Sequence, residues 1–371
     1  MADNISIDNI SKQNGFLYFN IQNINISLIN ALRRIIISDI PCYVFRTYPY
    51  EKNNVNIIKN TCRINNEVIK QRLSCVPIHI KENSDINENI DNLVFEINKK
   101  NEENHTIYIT TNDFKIKDNQ TNTYLSDDEV QKIFPPDPIS NDHIIITRLR
   151  PKISNEIQGE EIHIEAKIIL SSAKEDSAFN MVSTCSYQNI GDKERQNEEW
   201  IKKETQLRKS NLSDEELEFE KKNWYLLDAQ RIFRENSFKF ILESVGVYEN
   251  EELIIRGCNI LNNKLNKIIE LCNNETLEVK TSETLMNGLD IILQNEDYTI
   301  GKSLEYALNE LFYDNIMDFI GFRKFHPHDN FSIIRVSYTD NNNNISLLYS
   351  HIKEACNHLI QVFSKIKLYF E

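Results

Sequence analysis

Apolar residues recur at helical spacing in four places along this chain. In "SLINALRRIIIS", residues 27–38, Leu28, Ala31, Leu32, Ile35 and Ile36 fall at i, i+3, i+4, i+7 and i+8, one stripe of an α-helix. "LEYALNELF" repeats the spacing with Leu304, Ala307, Leu308, Leu311 and Phe312. A longer helix carries Ile254, Gly257, Cys258, Leu261, Leu265, Ile268 and Cys272 on one face. A final one carries Leu348, Ile352, Ala355, Leu359, Val362 and Ile366. Gly257 lies inside its stripe, where it costs about 1 kcal/mol against Ala. A close backbone approach by a neighbour would offset that.

Between the helices the pattern shifts to short runs rich in β-branched and aromatic residues. "FLYFNI" (16–21), "CYVFRTYPY" (42–50), "EIHIEAKIILSSA" and "NSFKFILESVG" predict strands. "NEVIKQRLSCVPIHI" reads as a short helix running into a strand, and "FRKFHPHDNFSIIRVSY" as a hairpin-like pair. From 81 to 161 the chain turns polar, with "LVFEI", "TIYIT" and "HIIITRL" separated by turn-rich sequence. This predicts a separate β-rich insertion. Residues 192–222 hold 18 charged side chains in 31, of both signs, and "SDEE" at Ser213–Glu216 predicts a capping box. A solvated helical excursion is the expectation there, with a dedicated partner site as the alternative. "NNETLEVKTSE" lacks periodicity and predicts a linker.

The order strand, short helix, strands, long helix occurs twice. Leu28, Ala31, Leu32, Ile35 and Ile36 align with 304, 307, 308, 311 and 312, which sets Arg33 and Arg34 against Asn309 and Glu310. The fold class expected is α+β: two related halves packed through long helices, as in a dimer with pseudo-twofold symmetry, with a β-rich insertion. The domains expected are 1–80 with 162–272, the insertion 81–161, a linker 273–282, and 283–371. The contact between halves is assigned to Leu28, Ala31, Leu32, Ile35, Ile254, Gly257, Leu261, Leu265, Leu304, Ala307, Leu308, Leu311, Leu348, Ile352 and Leu359. If the helices pair by their stripes, Arg33 and Arg34 point off them. On the residues alone a local ion pair with Asp39 or another carboxylate is the expectation; the alternative is a contact with carboxylates or carbonyls of another chain, which a guanidinium pair on a rigid helix suits.

Charge and composition narrow the function. The chain has 371 residues, 40% hydrophobic and 26% charged, with a formal net charge of −14. An acidic total argues against nucleic acid as the main partner. No apolar run reaches membrane-span length, and "MADNISIDNI" lacks the marks of a secretory signal, so an intracellular chain is expected. Seven scattered cysteines without a CxxC pair suit reduced thiols better than zinc. His326 and His328 suit a turn better than a metal site. Walker, GxGxxG, HExxH, GxSxG and kinase signatures are missing. A non-enzymatic scaffold without a cofactor is therefore expected. The competing readings are a stand-alone nucleic-acid-binding regulator, testable by salt-dependent binding, and an enzyme with an unrecognised site.

"SLINALRRIIISDIP" closely resembles the first helix of the α-type subunits of multisubunit RNA polymerases: the bacterial α N-terminal domain, its archaeal counterpart and the third subunit of RNA polymerase II. "AKEDSAFNMVSTCSY" resembles the family's Lys-x-His-Ala-Lys-Phe-Ser-Pro-Val stretch, with Asp176, Ser177, Asn180 and Met181 departing from it. "FKFILESVG" is similar to the family's Glu-Ser/Thr-x-Gly strand. "EDYTIGKSLEYAL" and "FIGFRKFHPHDNFSIIRV" resemble the smaller partner of those subunits, the eleventh subunit of RNA polymerase II and its archaeal counterpart, with Phe325 where Pro is usual. Both partners in one chain resembles the fused subunits of large DNA viruses.

The resemblance implies a non-catalytic platform for DNA-dependent RNA polymerase assembly, in which an intramolecular α-like heterodimer nucleates the two large catalytic subunits. The implied partners are the second-largest and largest subunits and small subunits of the tenth-subunit type. Membranes are not among them, and DNA and RNA are met only through the complex. The implied large-subunit contact is Arg33, Arg34, Asn30, Lys174 and Phe179. A cytoplasmic viral factory and virion are the implied locations. The family's iron–sulfur or zinc loop is expected to be absent, since 81–161 holds no cysteine, as is a trailing DNA-binding domain.

Overall fold

The computed structural model describes residues 5–81, 90–154, 156–210, 213–282, 285, 287–339 and 344–371. In chain order the first elements are β1 (Ser6–Gln13), β2 (Phe16–Gln22), α1 (Ile26–Ser38), β3 (Pro41–Val44), β4 (Val55–Asn60), α2 (Asn66–Ser74), β5 (Leu93–Lys100), β6 (Ile107–Thr110), β7 (Lys115–Asp118), β8 (Thr123–Tyr124), α3 (Asp127–Ile133) and β9 (Ile145–Leu149). There follow β10 (Glu161–Ala166), β11 (Ile169–Ser172), β12 (Val182–Gly191), α4 (Lys193–Arg208), α5 (Asp214–Leu226), β13 (Phe233–Ser244) and α6 (Asn250–Asn273). The chain finishes with β14 (Val279–Thr281), β15 (Gly288–Gln294), α7 (Tyr298–Phe312), β16 (Met317–Arg323), β17 (Phe331–Tyr338) and α8 (Ile345–Leu368). The fold is α+β.

Two compact units divide the chain. The first takes residues 1–36, 184–243 and 250–371 and holds two four-stranded sheets. Their strand orders are β1-β2-β13-β12 and β14-β15-β17-β16. These are the same topology, strand for strand, with α1 and α7 after the second strand and α6 and α8 after the fourth. The 24-residue helices α6 and α8 pack on each other, and α7 packs on α8. Their apolar faces are closed: Ile254, Leu261, Leu265, Leu348, Ile352 and Leu359 are all buried. The chain's C-terminal end returns to the first sheet, where Phe370 meets Phe19 edge-on at 5.0 Å.

Gly257 has the close neighbour its position called for. A Cβ there would lie 2.9 Å from Ile36 Cγ1 and 3.2 Å from Leu32 Cδ1, so α1 crosses α6 where α6 has no side chain. Gly301 does the same for α7, where a Cβ would fall inside the Phe322 ring.

The two sheets share one strand order, but the caps of their short helices set a register one helical turn from the sequence reading. Asn25 and Asp297 cap α1 and α7, each accepting from the backbone N–H two residues on, at 2.8 Å. Asn23 and Asn295, two residues before each cap, both take positive φ, 60° and 57°. Aligning the caps pairs buried Leu28, Ile29, Ala31, Leu32, Ile35 and Ile36 with buried Ile300, Gly301, Ser303, Leu304, Ala307 and Leu308. Leu311, expected in the stripe, is only half-buried. The counterparts of Arg33 and Arg34 are Glu305 and Tyr306, not Asn309 and Glu310.

The charged excursion is an antiparallel pair, α4 and α5. The Ser213–Glu216 capping box forms, with Ser213 N and Oγ both donating to Glu216 at 2.9 Å. Trp200 is buried against Trp224 and Tyr225, which gives the pair a small core of its own.

The second unit takes residues 37–183 and 244–249. Its main sheet runs β4-β10-β5-β7-β8, with β11 paired to β3 and β6 to β9. The boundaries expected at 81 and 161 do not hold as breaks. β10 pairs on one side with β4 and on the other with β5, so segments assigned to the insertion and to its flanks share one sheet. One hydrophobic core joins Ile69, Leu73, Val76 and Ile78 from the flank to Phe95, Phe114 and Phe134. Residues 76–80 bury alternate side chains as a strand would, but they join no ladder; His79 N donates to Ile133 O at 3.0 Å. In the first unit, the 273–282 linker contains β14, paired with β15.

Candidate assembly surface

The site begins with α1, whose apolar stripe fixes which residues are left to face outward. Asn30, Arg33 and Arg34 stand off the stripe and are half-buried. The two arginines part company there. Arg34 reaches across 263 residues of sequence: Nη2 lies 2.5 Å from Asp297 Oδ2, and Nε donates to Thr299 Oγ1 at 2.8 Å. Asp297 thus caps α7 and holds an arginine of α1 at once. Burial pushes the Asp297 carboxyl up, but the Thr299 N–H and hydroxyl and the Arg34 guanidinium outweigh it and hold the group below its ordinary value. Of the alternatives for the Arg pair, Arg34 meets the carboxylate one, though the carboxylate is Asp297 rather than Asp39.

Arg33 has no such partner. Its Nε donates to Asn30 Oδ1 at 3.1 Å, and its other side-chain donors find no acceptor among the described residues. Its backbone carbonyl accepts from the Cys185 thiol at 3.7 Å. Burial pushes that thiol up to about 12, with the Arg33 charge pulling the other way. Asn30 and Arg33 therefore present a planar donor fork on a rigid helix, ready for a carboxylate or carbonyl.

In the second half, the positions equivalent to this pair serve the fold. Glu305 Oε1 accepts from Phe322 N at 2.9 Å, and its other oxygen pairs with Lys302. Lys264 of α6 also pairs with Glu296 at 3.1 Å, both largely buried, and Asn262 of α6 donates to Ser364 of α8 at 3.2 Å. Lys264, Glu296, Asp297 and Thr299 were missed in the sequence. The Asp-x-Thr of "EDYT" carried the signal, since it is also a helix-capping pattern.

The other two assigned residues lie in the second unit. Lys174 is exposed, and its backbone N–H bonds to Ser38 O at 2.6 Å. Phe179 is 2% exposed, and its carbonyl accepts from Cys42 Sγ. Its ring is a core side chain, not an outward contact. Asp176, nearby, accepts from Ala178 N and caps a short turn. His326 and His328 lie at the tip between β16 and β17, where His328 N donates to His326 Nδ1 at 3.1 Å. Among the described residues no three His, Cys, Asp or Glu gather into a metal-holding group, and no helix is long and apolar enough to cross a membrane.

Comparison with known proteins finds likenesses for this chain. The profile of the RNA polymerase Rpb3/Rpb11 dimerisation domain matches residues 18–110, a span that begins in β2 and contains α1 with its arginines. Among individual proteins, the chain is similar to the DNA-directed RNA polymerases I and III subunit RPAC1 of Saccharomyces cerevisiae. The two are 27% identical over 299 residues, covering 66% of this chain and 81% of the yeast protein. The human RPAC1 is 24% identical over 209 residues, 51% of this chain and 55% of that protein. The Dictyostelium discoideum protein of the same description is 28% identical over 198 residues, covering 50% and 52%. The chain thus spans about half the length of the human and Dictyostelium relatives. These likenesses support an α-like RNA polymerase subunit.

Proposed function

We propose that the chain is a non-catalytic subunit of a multisubunit DNA-dependent RNA polymerase, and that its first unit is an α-like heterodimer contained in one polypeptide. On this reading the half ending in α6 is the third-subunit-like partner and the half from β14 onward the eleventh-subunit-like one. The observation that carries it is the pair of sheets with identical strand order, joined by α6 against α8 and by Arg34 on the cap of α7. The likeness to RPAC1 supports the transcription context. The platform recruits the second-largest and largest subunits, with small subunits of the tenth-subunit type. Asn30 and Arg33 form part of the large-subunit contact, and Arg34 serves the contact between halves.

The test is a tagged pull-down from the native source with every co-purifying chain identified by mass spectrometry. Two very large polymerase subunits are expected in equal amount with this chain. Arg33→Glu is expected to lower their recovery several-fold while leaving the melting temperature within about 2 °C. Recovery of this chain alone from cells making those subunits refutes the platform. Undiminished recovery with Arg33→Glu refutes the contact assignment.

A further inference from the structure

The second unit concentrates positive charge in one place, against the sign of the whole molecule. Four of the chain's 14 arginines, Arg63, Arg72, Arg148 and Arg150, line a single cleft of about 600 Å³. Its one lining carboxylate is Glu160, and no lysine lines it. The cleft is built by α2 on one side and the two-stranded β6–β9 sheet on the other.

Two of the arginines are held in place by the fold. Arg72 Nη1 donates to Ile146 O at 2.9 Å. Arg150 is clamped by Glu160, its Nε and Nη2 both 2.6 Å from Oε1, while its backbone N–H donates to Oε2 at 2.8 Å. Glu160 is therefore spent on Arg150. Arg63 and Arg148 are exposed and have no ion pair or hydrogen bond from their side chains among the described residues. Arg148 stands directly opposite Tyr108 in the β6–β9 ladder. Tyr108 and Ile145, 58% and 52% exposed, add apolar surface beside the charges.

We propose that this cleft is a docking site for an acidic, extended peptide segment of a partner protein, whose carboxylates pair with Arg63 and Arg148 and whose apolar side chains lie on Tyr108 and Ile145. The residue type favours carboxylates: a guanidinium fork takes a carboxylate through two parallel hydrogen bonds, which an ammonium cannot. The setting disfavours nucleic acid. A single strand needs a basic groove that tracks its backbone and several rings to stack its bases. Here one aromatic ring lines the cleft, and the chain carries a net charge of −14. The inference does not rest on the polymerase reading, and the cleft shares no residue with the α1 site.

The experiment uses the full chain and a fluorescein-labelled twelve-residue peptide of Glu, Asp, Leu and Tyr, followed by anisotropy at low and at high salt. Binding is expected to weaken at least tenfold in the Arg63→Glu/Arg148→Glu double variant. It is expected to be unchanged in Lys222→Glu, a control on exposed α5. Both substituted arginines are exposed, so the variant is expected to melt with the wild type, and circular dichroism checks this. Inorganic phosphate and a twelve-nucleotide thymidine strand serve as competitors. Equal binding by the double variant overturns the proposal, as does absence of salt-sensitive binding at millimolar peptide. Displacement of the peptide by the strand or by phosphate at lower concentration than by unlabelled peptide also overturns it, and makes the cleft a phosphate site.

Discussion

Replacing Gly257 by Ala sets two effects of opposite sign against each other. In an exposed helix the change would stabilise by about 1 kcal/mol, since Ala loses less backbone freedom than Gly. In α6 the new methyl would sit 2.9 Å from Ile36 Cγ1 and 3.2 Å from Leu32 Cδ1. Ile36 is fully buried, and Cγ1 belongs to the stem of its side chain, so it has little room to withdraw. Overpacking of this kind costs about 1–3 kcal/mol. The net expectation is a loss of about 1 kcal/mol, where propensity alone predicts a gain. The decisive measurement is the same substitution in an Ile36→Ala background. Ile36→Ala alone costs about 2–5 kcal/mol, but it removes the atom that the new methyl would strike. There Gly257→Ala is expected to stabilise by about 1 kcal/mol. The sign reversal is read as opposite shifts of the urea midpoint for the transition that includes the α6 helix, at unchanged m. A gain of about 1 kcal/mol in both backgrounds would refute the close crossing of α1 over α6.

Gly301→Ala, whose Cβ would fall within the Phe322 ring, is expected to cost about 1–3 kcal/mol and to release that ring, visible as altered near-ultraviolet dichroism. Asp297→Asn keeps a good helix cap but removes the charge facing Arg34, and with both side chains 38% exposed the loss is expected to be only about 0.5–1 kcal/mol. Because the Asp297 carboxyl is held below its ordinary value, its contribution is present in full above about pH 4 and disappears as pH falls through the folded-state value. The difference in urea midpoint between wild type and Asp297→Asn should therefore shrink below pH 4; a constant difference would contradict the ionised pairing. Trp200→Ala is expected to cost the α4–α5 pair about 3 kcal/mol, seen as faster proteolysis within 192–226 while the melting of the remainder persists. Among the thiols, burial pushes Cys258 up to about 12 and Cys272 up to about 11, whereas Cys75 is exposed. A disulfide reagent at neutral pH is expected to label Cys75 first and to leave Cys258 unmodified until the protein unfolds.

The elements were largely readable because each long helix buries its whole stripe, so the periodicity of 254–272 and 348–366 survives into the fold. The register of the repeat, read from the stripe, came out one turn off, and the reason is physical. Apolar residues at i, i+3 and i+4 recur every turn of any amphipathic helix, so a match of Leu, Ala and Leu slides by four residues at no cost. Capping chemistry does not slide. Asn25 and Asp297, each preceded by a left-handed Asn, fix the start of α1 and α7, and both were present in the sequence. Partners distant in the chain left no local trace. Nothing around Arg34 points to Asp297, and nothing in the polar texture of 81–161 shows that β5 borders β10 in a sheet that includes β4. Phe179 was assigned to the large-subunit contact by the resemblance of its stretch alone, yet beside the turn capped by Asp176 the side chain is buried.

The two halves of the first unit differ most in what separates their short helix from their third strand. After α7 the chain needs only residues 313–316 to reach β16. After α1 it leaves for most of the second unit, residues 37–183, before continuing in β12. Within that unit β3 lies antiparallel against β11, and Lys174 N bonds to Ser38 O, so the outgoing and incoming strands run side by side like the two wires of one cable. A guest domain tethered in this way adds little loop-closure entropy to its host, because its ends are already joined by its own fold. The second half shows what the host needs at that point, which is a four-residue turn. A chain with residues 40–180 replaced by such a turn would be a minimal host, and its ability to fold would measure how far the graft and its stock remain independent plants.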